Sequence, residues 1–175
     1  LAYCLYHVEN NDSLAHLTVY GEYLEKHPPE REVEIIENTS WSCSHGIERW
    51  RGNCGCCSGM NPGWTQSWRP FLRQAMDWLR DELGSFYERE MAELVDDPWT
   101  ARDKYISVIL DRSQRSREEY FSGIASRRLS REEVVRALRL LEMQRHCQGM
   151  YTSCGWFFDE ISGIETVQVM KYAAR

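Results

Sequence analysis

No apolar run in the chain is long enough to cross a bilayer, and no basic run is present that could track a phosphate backbone. With a net charge of −6, the protein is expected to bind neither membranes nor nucleic acid. A charged, apolar, small-residue leader is missing ahead of the first helical pattern. So is an initiator Met: the sequence opens on Leu1-Ala-Tyr-Cys-Leu-Tyr6, already in helical rhythm, and reads as a piece of a longer protein. The seven cysteines are odd in number and irregular in spacing. That is unlike the paired framework of a small secreted domain and points to the cytoplasm. Neither a Gly-x-Ser-x-Gly elbow nor a phosphate-binding glycine loop occurs, so those two chemistries have no footing. Internal repeats, low-complexity tracts and evident linkers are missing as well.

What is there is mainly helical. At 175 residues the chain can enclose a real core. Residues 1–8 read as a helix end with Leu1, Cys4, Leu5 and Val8 on one face. A second helix is expected through Leu14, Leu17, Tyr20 and Leu24, capped by Asp12 or Ser13 and stopped by His27-Pro28-Pro29. Glu32-Val-Glu-Ile-Ile36 alternates and is expected to be the one short strand. From Ser67 on, Trp68, Phe71, Leu72, Ala75, Met76, Leu79, Leu83 and Phe86 form one long apolar stripe. Asp97-Pro98 opens a helix through Trp99, Tyr105, Ile106, Ile109 and Leu110. Ser116-Arg-Glu-Glu119 and Ser130-Arg-Glu-Glu133 both have capping-box spacing, and the second leads a run through Val134, Leu138, Leu141 and Met143. A last helix is expected from about Ile164 to Ala174. The fold class is therefore a helical bundle with one strand and one elaborate loop, divided into 1–66 and a bundle domain at 67–175.

The loop at 37–57 gathers Trp41, Cys43, His45, Arg49, Trp50, Cys54, Cys56 and Cys57. Cys43-x-His45 and Cys54-x-Cys56 supply four ligands of the kind that hold tetrahedral zinc, with Cys57 and Cys154 as alternatives. One intervening residue is tighter than the usual two to four, so reduced, packed thiols beside a substrate-facing histidine are the competing reading. Cys43 and His45 sit too close in sequence to suit a thiol nucleophile and its base. Trp41 and Trp156, each in a loop, suit sugar stacking as well as packing. Asp159-Glu160, after Gly155-Trp-Phe-Phe158, can bind hydroxyls, act as acid and base, or cap the last helix.

Glu37-Asn-Thr-Ser-Trp-Ser-Cys-x-His-Gly-x-Glu-Arg-Trp-Arg51 with Cys54-Gly-Cys56, Tyr151-Thr-Ser-Cys-Gly-Trp-Phe-Phe-Asp-Glu-Ile-Ser-Gly-Ile-Glu-Thr166, and Tyr20-Gly-Glu-Tyr-Leu-Glu-Lys-His-Pro-Pro29 together resemble proteins of glycoside hydrolase family 57. The likeness is to the subgroup whose barrel is followed by a helical domain of unassigned function. It implies an incomplete (β/α)7 barrel followed by a bundle that closes one side of the cleft. It also implies action on α-glucans by a retaining mechanism, in which two carboxyls lie about 5 Å apart. By this resemblance both catalytic carboxylates lie upstream of Leu1, in a barrel domain of the same polypeptide, and none lies in this chain. Residues 1–66 would be the last barrel-associated segment. Trp41, His45, Trp156, Asp159 and Glu160 would shape the sugar cleft. Cys-Gly-Trp-Phe-Phe stands where the family more often has Ser-Asp-Trp, which leaves Asp159 as the substitute carboxylate. The cysteine loop has no counterpart in the better-known members. Two other readings stay open: a non-catalytic, metal-stabilised interaction domain, and a degenerate member that keeps only carbohydrate binding.

Overall fold

The computed structural model of the protein describes residues 1–11, 15–59 and 61–175. Its contacts divide the chain into two compact units, Leu1–Glu37 and Asn38–Arg175. The loop at 38–66, which the sequence groups with the preceding helices, belongs to the second unit with the bundle.

In the first unit, α1 (Ala2–Asn10) ends within the polar stretch that begins at Glu9, and α2 (Tyr20–Lys26) stops before the two prolines as expected. Neither helix buries a residue. The second helix is shorter than its pattern: residues 15–19, Leu17 among them, are not helical. Leu14 and the expected cap at Asp12 or Ser13 lie outside the described residues. A helix that buries no face gains only its own hydrogen bonds, too little to extend a short segment. The expected strand is also corrected. Residues 31–36 form no ladder, no strand occurs among the described residues, and Val33, Ile35 and Ile36 are 89%, 82% and 76% exposed. Alternation alone makes no strand, because an extended segment needs a second one to bond with.

The second unit is all-α among its described residues. It comprises α3 (Trp68–Met91), α4 (Pro98–Lys104), α5 (Ile106–Leu110), α6 (Gln114–Ser122), α7 (Arg131–Gly149), the single turn α8 (Cys154–Phe157) and α9 (Ile164–Ala173). Asp97 caps α4 by accepting from the amides of Trp99 and Thr100, and Pro98 takes the first helical position. Ser130 and Glu133 form the expected capping box of α7. Ser116 does not start a helix. Ser113 does, accepting from the Ser116 amide at 3.2 Å, and Ser116 sits inside α6.

Two cores result. In the first, the C-terminal half of α3 (Tyr87, Met91) packs against α4 to α7 through Ala101, Tyr105, Val108, Tyr120, Phe121, Ala137 and Leu141. The hydroxyls of Tyr87 and Tyr120 donate to the carbonyls of Pro98 and Ala101, each at 2.7 Å, so buried phenols bring no unpaired donor. The second core joins the N-terminal half of α3 to the C-terminal end: Met76, Cys147, Met150, Trp156 and Val169, with Trp50, Trp68, Leu72 and Tyr172 against them. The stripe on α3 thus faces inward through Trp68, Leu72, Met76, Leu79 and Leu83. Phe71 and Phe86 fall outside it, at 75% and 40% exposure, and Tyr87 and Met91 take over the inner face. Gly155 allows α8 to lie on α9. A Cβ there would stand 2.2 Å from Val169 Cγ2 and 2.9 Å from the Glu165 carbonyl oxygen. The Thr166 hydroxyl closes the same contact on the Gly155 carbonyl at 2.7 Å.

Candidate metal centre

The loop enters the second unit through Asn38, at φ 58°, and Gly46, at φ 77°. A side chain on Gly46 would meet the Asn38 carbonyl oxygen at 2.4 Å, so this crossing needs glycine. The Gly46 amide bonds the Cys43 carbonyl at 3.2 Å, and the Ser40 hydroxyl donates to the Gly46 carbonyl at 2.7 Å. A second reversal at Gly55, φ 81°, separates Cys54 from Cys56. The two turns put four side chains in one place.

Cys43 Sγ lies 3.8 Å from Cys54 Sγ and 4.0 Å from His45 Nδ1, and Cys56 Sγ lies 3.5 Å from the same nitrogen. All four ligand atoms fall within 4.8 Å of one another. A zinc tetrahedron with bonds of about 2.3 Å to sulfur and 2.0 Å to nitrogen has edges of roughly 3.5–3.8 Å. The donor set and its spacing fit. Cys43 is buried, Cys54 and Cys56 half-buried, and His45 exposed. The other two candidates, Cys57 and Cys154, are exposed and outside the cluster.

Burial pushes the Cys43 thiol up. Main-chain hydrogen bonds from His45 and Arg49, with side-chain bonds from His45 and Cys56, outweigh it and bring the thiol down to about 7. Burial pushes Cys54 up, and the neighbouring Cys56 and Cys43 thiols reinforce that, against a main-chain bond from Cys56. The lowered value eases release of the Cys43 proton, and the thiolate is the form that ligates metals.

Beneath the cluster runs a strap at 157–159. Arg49 Nε donates to the Phe157 carbonyl at 3.1 Å and its Nη1 to the Ser42 carbonyl at 3.1 Å. Arg69 Nη2 donates to the Phe157 and Phe158 carbonyls, both at 2.8 Å. The Arg49 guanidinium stacks 3.5 Å over the Phe157 ring. Asp159, 6% exposed, accepts from the Ser58 amide at 2.9 Å, the Ser58 hydroxyl at 2.5 Å and Gln66 Nε2 at 3.2 Å. Burial works against the Asp159 charge. These three donors and the Arg69 cation outweigh it and hold the carboxyl below its usual range. Asp159 is thus a latch between the strap and the loop, its oxygens turned inward.

The other sugar-contact candidates separate sharply. Trp156 is fully buried, stacks on Trp68 at 6.3 Å and donates Nε1 to the Met150 carbonyl at 3.0 Å. A ring with no exposed face has none to offer a ligand. Trp41 is 92% exposed and lies 6.2 Å from Phe157. Glu160 accepts from the Ser162 hydroxyl at 2.6 Å. Sequence reasoning assigned no role to Arg49, Arg69, Ser58 or Gln66. The one signal was Arg69, whose spacing places it on the buried side of an amphipathic helix.

Fold and site together define an all-α domain carrying a Cys3His cluster able to hold a metal ion. By family, the chain belongs to the Domain of unknown function (DUF3536), whose model matches residues 64–175. The match takes in Arg69, Trp156 and Asp159 and leaves the four cluster residues outside. No curated protein and no solved structure matches the chain.

Proposed function

We propose that this chain is the C-terminal, cleft-lining part of a carbohydrate-active enzyme like those of glycoside hydrolase family 57. The enzyme would be a retaining α-glucan hydrolase or glucanotransferase, with its catalytic carboxylates in an upstream barrel domain of the same polypeptide. The sequence motifs suggest this reading, and one feature of the geometry supports it: Trp41 presents an almost fully exposed ring beside Phe157. A solvent-facing aromatic with a polar edge suits the face of a sugar ring. Trp156 and Asp159 would serve the cleft from beneath, as the packing and the latch that hold Phe157 in place. Glu160 would bind a sugar hydroxyl in this reading.

The loop cluster we read as zinc, in a structural role. Four protein ligands leave no coordination position for water or substrate, unlike a catalytic site. His45 then belongs to the metal rather than to the sugar. A reducing compartment, the cytoplasm, keeps such thiols available. The test is calorimetric titration of the chain with a linear maltooligosaccharide. Binding that weakens on the order of tenfold in Trp41→Ala, a loss equivalent to about 1.4 kcal/mol, is expected. The chain alone should release no reducing ends. Unchanged affinity in Trp41→Ala, or no binding to the chain, overturns the α-glucan reading. A non-catalytic domain built on the same zinc loop would remain, and the upstream carboxylates, present or missing, would distinguish the two.

A further inference from the structure

Two guanidinium groups lie buried in the second unit, Arg69 at 0% and Arg49 at 5% exposure. Their hydrogen bonds all end on main-chain carbonyls, which are neutral acceptors. Two further donors of Arg69, Nε and Nη1, are buried without any partner. Such a charge is costly to bury unless an opposite charge stands near it. Asp159, close enough to act on Arg69 through its charge, supplies one negative charge, and Ser58 and Gln66 already occupy its oxygens. Two guanidinium groups against one carboxylate leave the strap itself with one positive charge in excess.

A Cys3His zinc complex removes that excess. Each of Cys43, Cys54 and Cys56 gives up its proton to solvent, His45 binds as the neutral imidazole, and three thiolates around a dication leave one negative charge. The two guanidinium groups meet at the Phe157 carbonyl, which accepts from Arg49 Nε at 3.1 Å and from Arg69 Nη2 at 2.8 Å. The Arg49 amide bonds Cys43 Sγ, and Cys43 and Cys54 are the thiols whose charges act on Arg69. We propose that Arg49 and Arg69 are the counter-cations of an anionic Cys3His zinc site, so that the metal and the strap at 157–159 are held as one electrostatic unit. This rests on the zinc reading of the loop, and it gives the two arginines a task that packing alone does not require. They are positioning residues, bonding the strap through its carbonyls and drawing the thiolates by charge.

The experiment measures zinc affinity by competition with a chromophoric chelator at fixed pH. It also records thermal midpoints of the metal-free and zinc-loaded chain. The variants are Arg69→Met, Arg49→Met and Arg69→Lys. Met keeps the apolar stem and removes the charge. Expected is a loss of zinc affinity of about 10–100-fold in either Met variant, on top of a fall in the metal-free midpoint from the lost strap hydrogen bonds, with most of the affinity restored by Lys. If both midpoints fall together while affinity for zinc is unchanged, the arginines are only structural and the proposal is overturned. Should Arg69→Met fail to fold, the more exposed Arg49→Met carries the same comparison. A wild-type chain that takes up no zinc overturns the metal reading itself, an outcome distinct from zinc bound equally well by all variants.

Discussion

Asp159 offers the most direct measurement of how the loop is fastened. Replacing it with Ala strips the Ser58 amide and the Gln66 side chain of their acceptor, and Gln66 is 3% exposed. A buried donor left without a partner costs about 1–3 kcal/mol. With Ser58 partly compensated by water, Asp159→Ala should lose about 2–4 kcal/mol. Asp159→Asn keeps the shape and gives up the charge. Charge-assisted bonds are about twice as strong as neutral ones, so that variant should lose roughly 1–2 kcal/mol. The pH dependence follows from the depressed carboxyl. A group whose pKa is lowered on folding contributes its full stabilisation above the unfolded value, about 3.9. That contribution declines as pH falls through the folded value. Urea unfolding of the metal-free chain, with chelator present throughout, should show the full gap between wild type and Asp159→Asn at pH 7. The gap should close on acidification below pH 4. A gap that stays constant into the acid range, or no gap at neutral pH, would refute the account of Asp159 as an ionised latch.

Two further outcomes test the packing and the helix starts. Gly155→Ala should destabilise by about 1–3 kcal/mol, because both a Val169 methyl and the Glu165 carbonyl stand in the way. The double variant with Val169→Ala should cost less than the sum of the two singles in a thermal-denaturation cycle, and strict additivity would contradict the clash. Ser113→Ala should cost about 1 kcal/mol as the loss of a helix cap. Ser116→Ala, inside the same helix, should be neutral or slightly stabilising; equal losses in both would return the helix start to Ser116.

The bundle was legible because its signals are local. Asp97-Pro98 and Ser130-Arg-Glu-Glu133 carry their caps within four residues, and the structure keeps both. Ser113 escaped because it lacks the Glu three positions on that Ser130 has, while Ser116 carries that spacing without the geometry. The Cys43, His45, Cys54 and Cys56 cluster was legible from residue type, and the glycines at 46 and 55 make its close spacing workable. What depended on distant partners was not. Trp156 and Asp159 read as loop residues and are buried, because Trp68 and Gln66 lie some ninety residues away in sequence. The alternation at 32–36 promised a strand and met no second one among the described residues.

The latch between Ser58 and Asp159 joins positions 101 residues apart, and this has a consequence for synthesis. At about 5–20 residues per second, the ribosome needs roughly 5–20 seconds after making Ser58 before Asp159 exists. The first core, whose buried residues run from Tyr87 to Leu141, can assemble in that interval. Three nascent thiols meanwhile wait for the strap that completes their surroundings. The cell's free-metal and oxidant levels during those seconds, more than the finished fold, would then decide what the cysteines first react with.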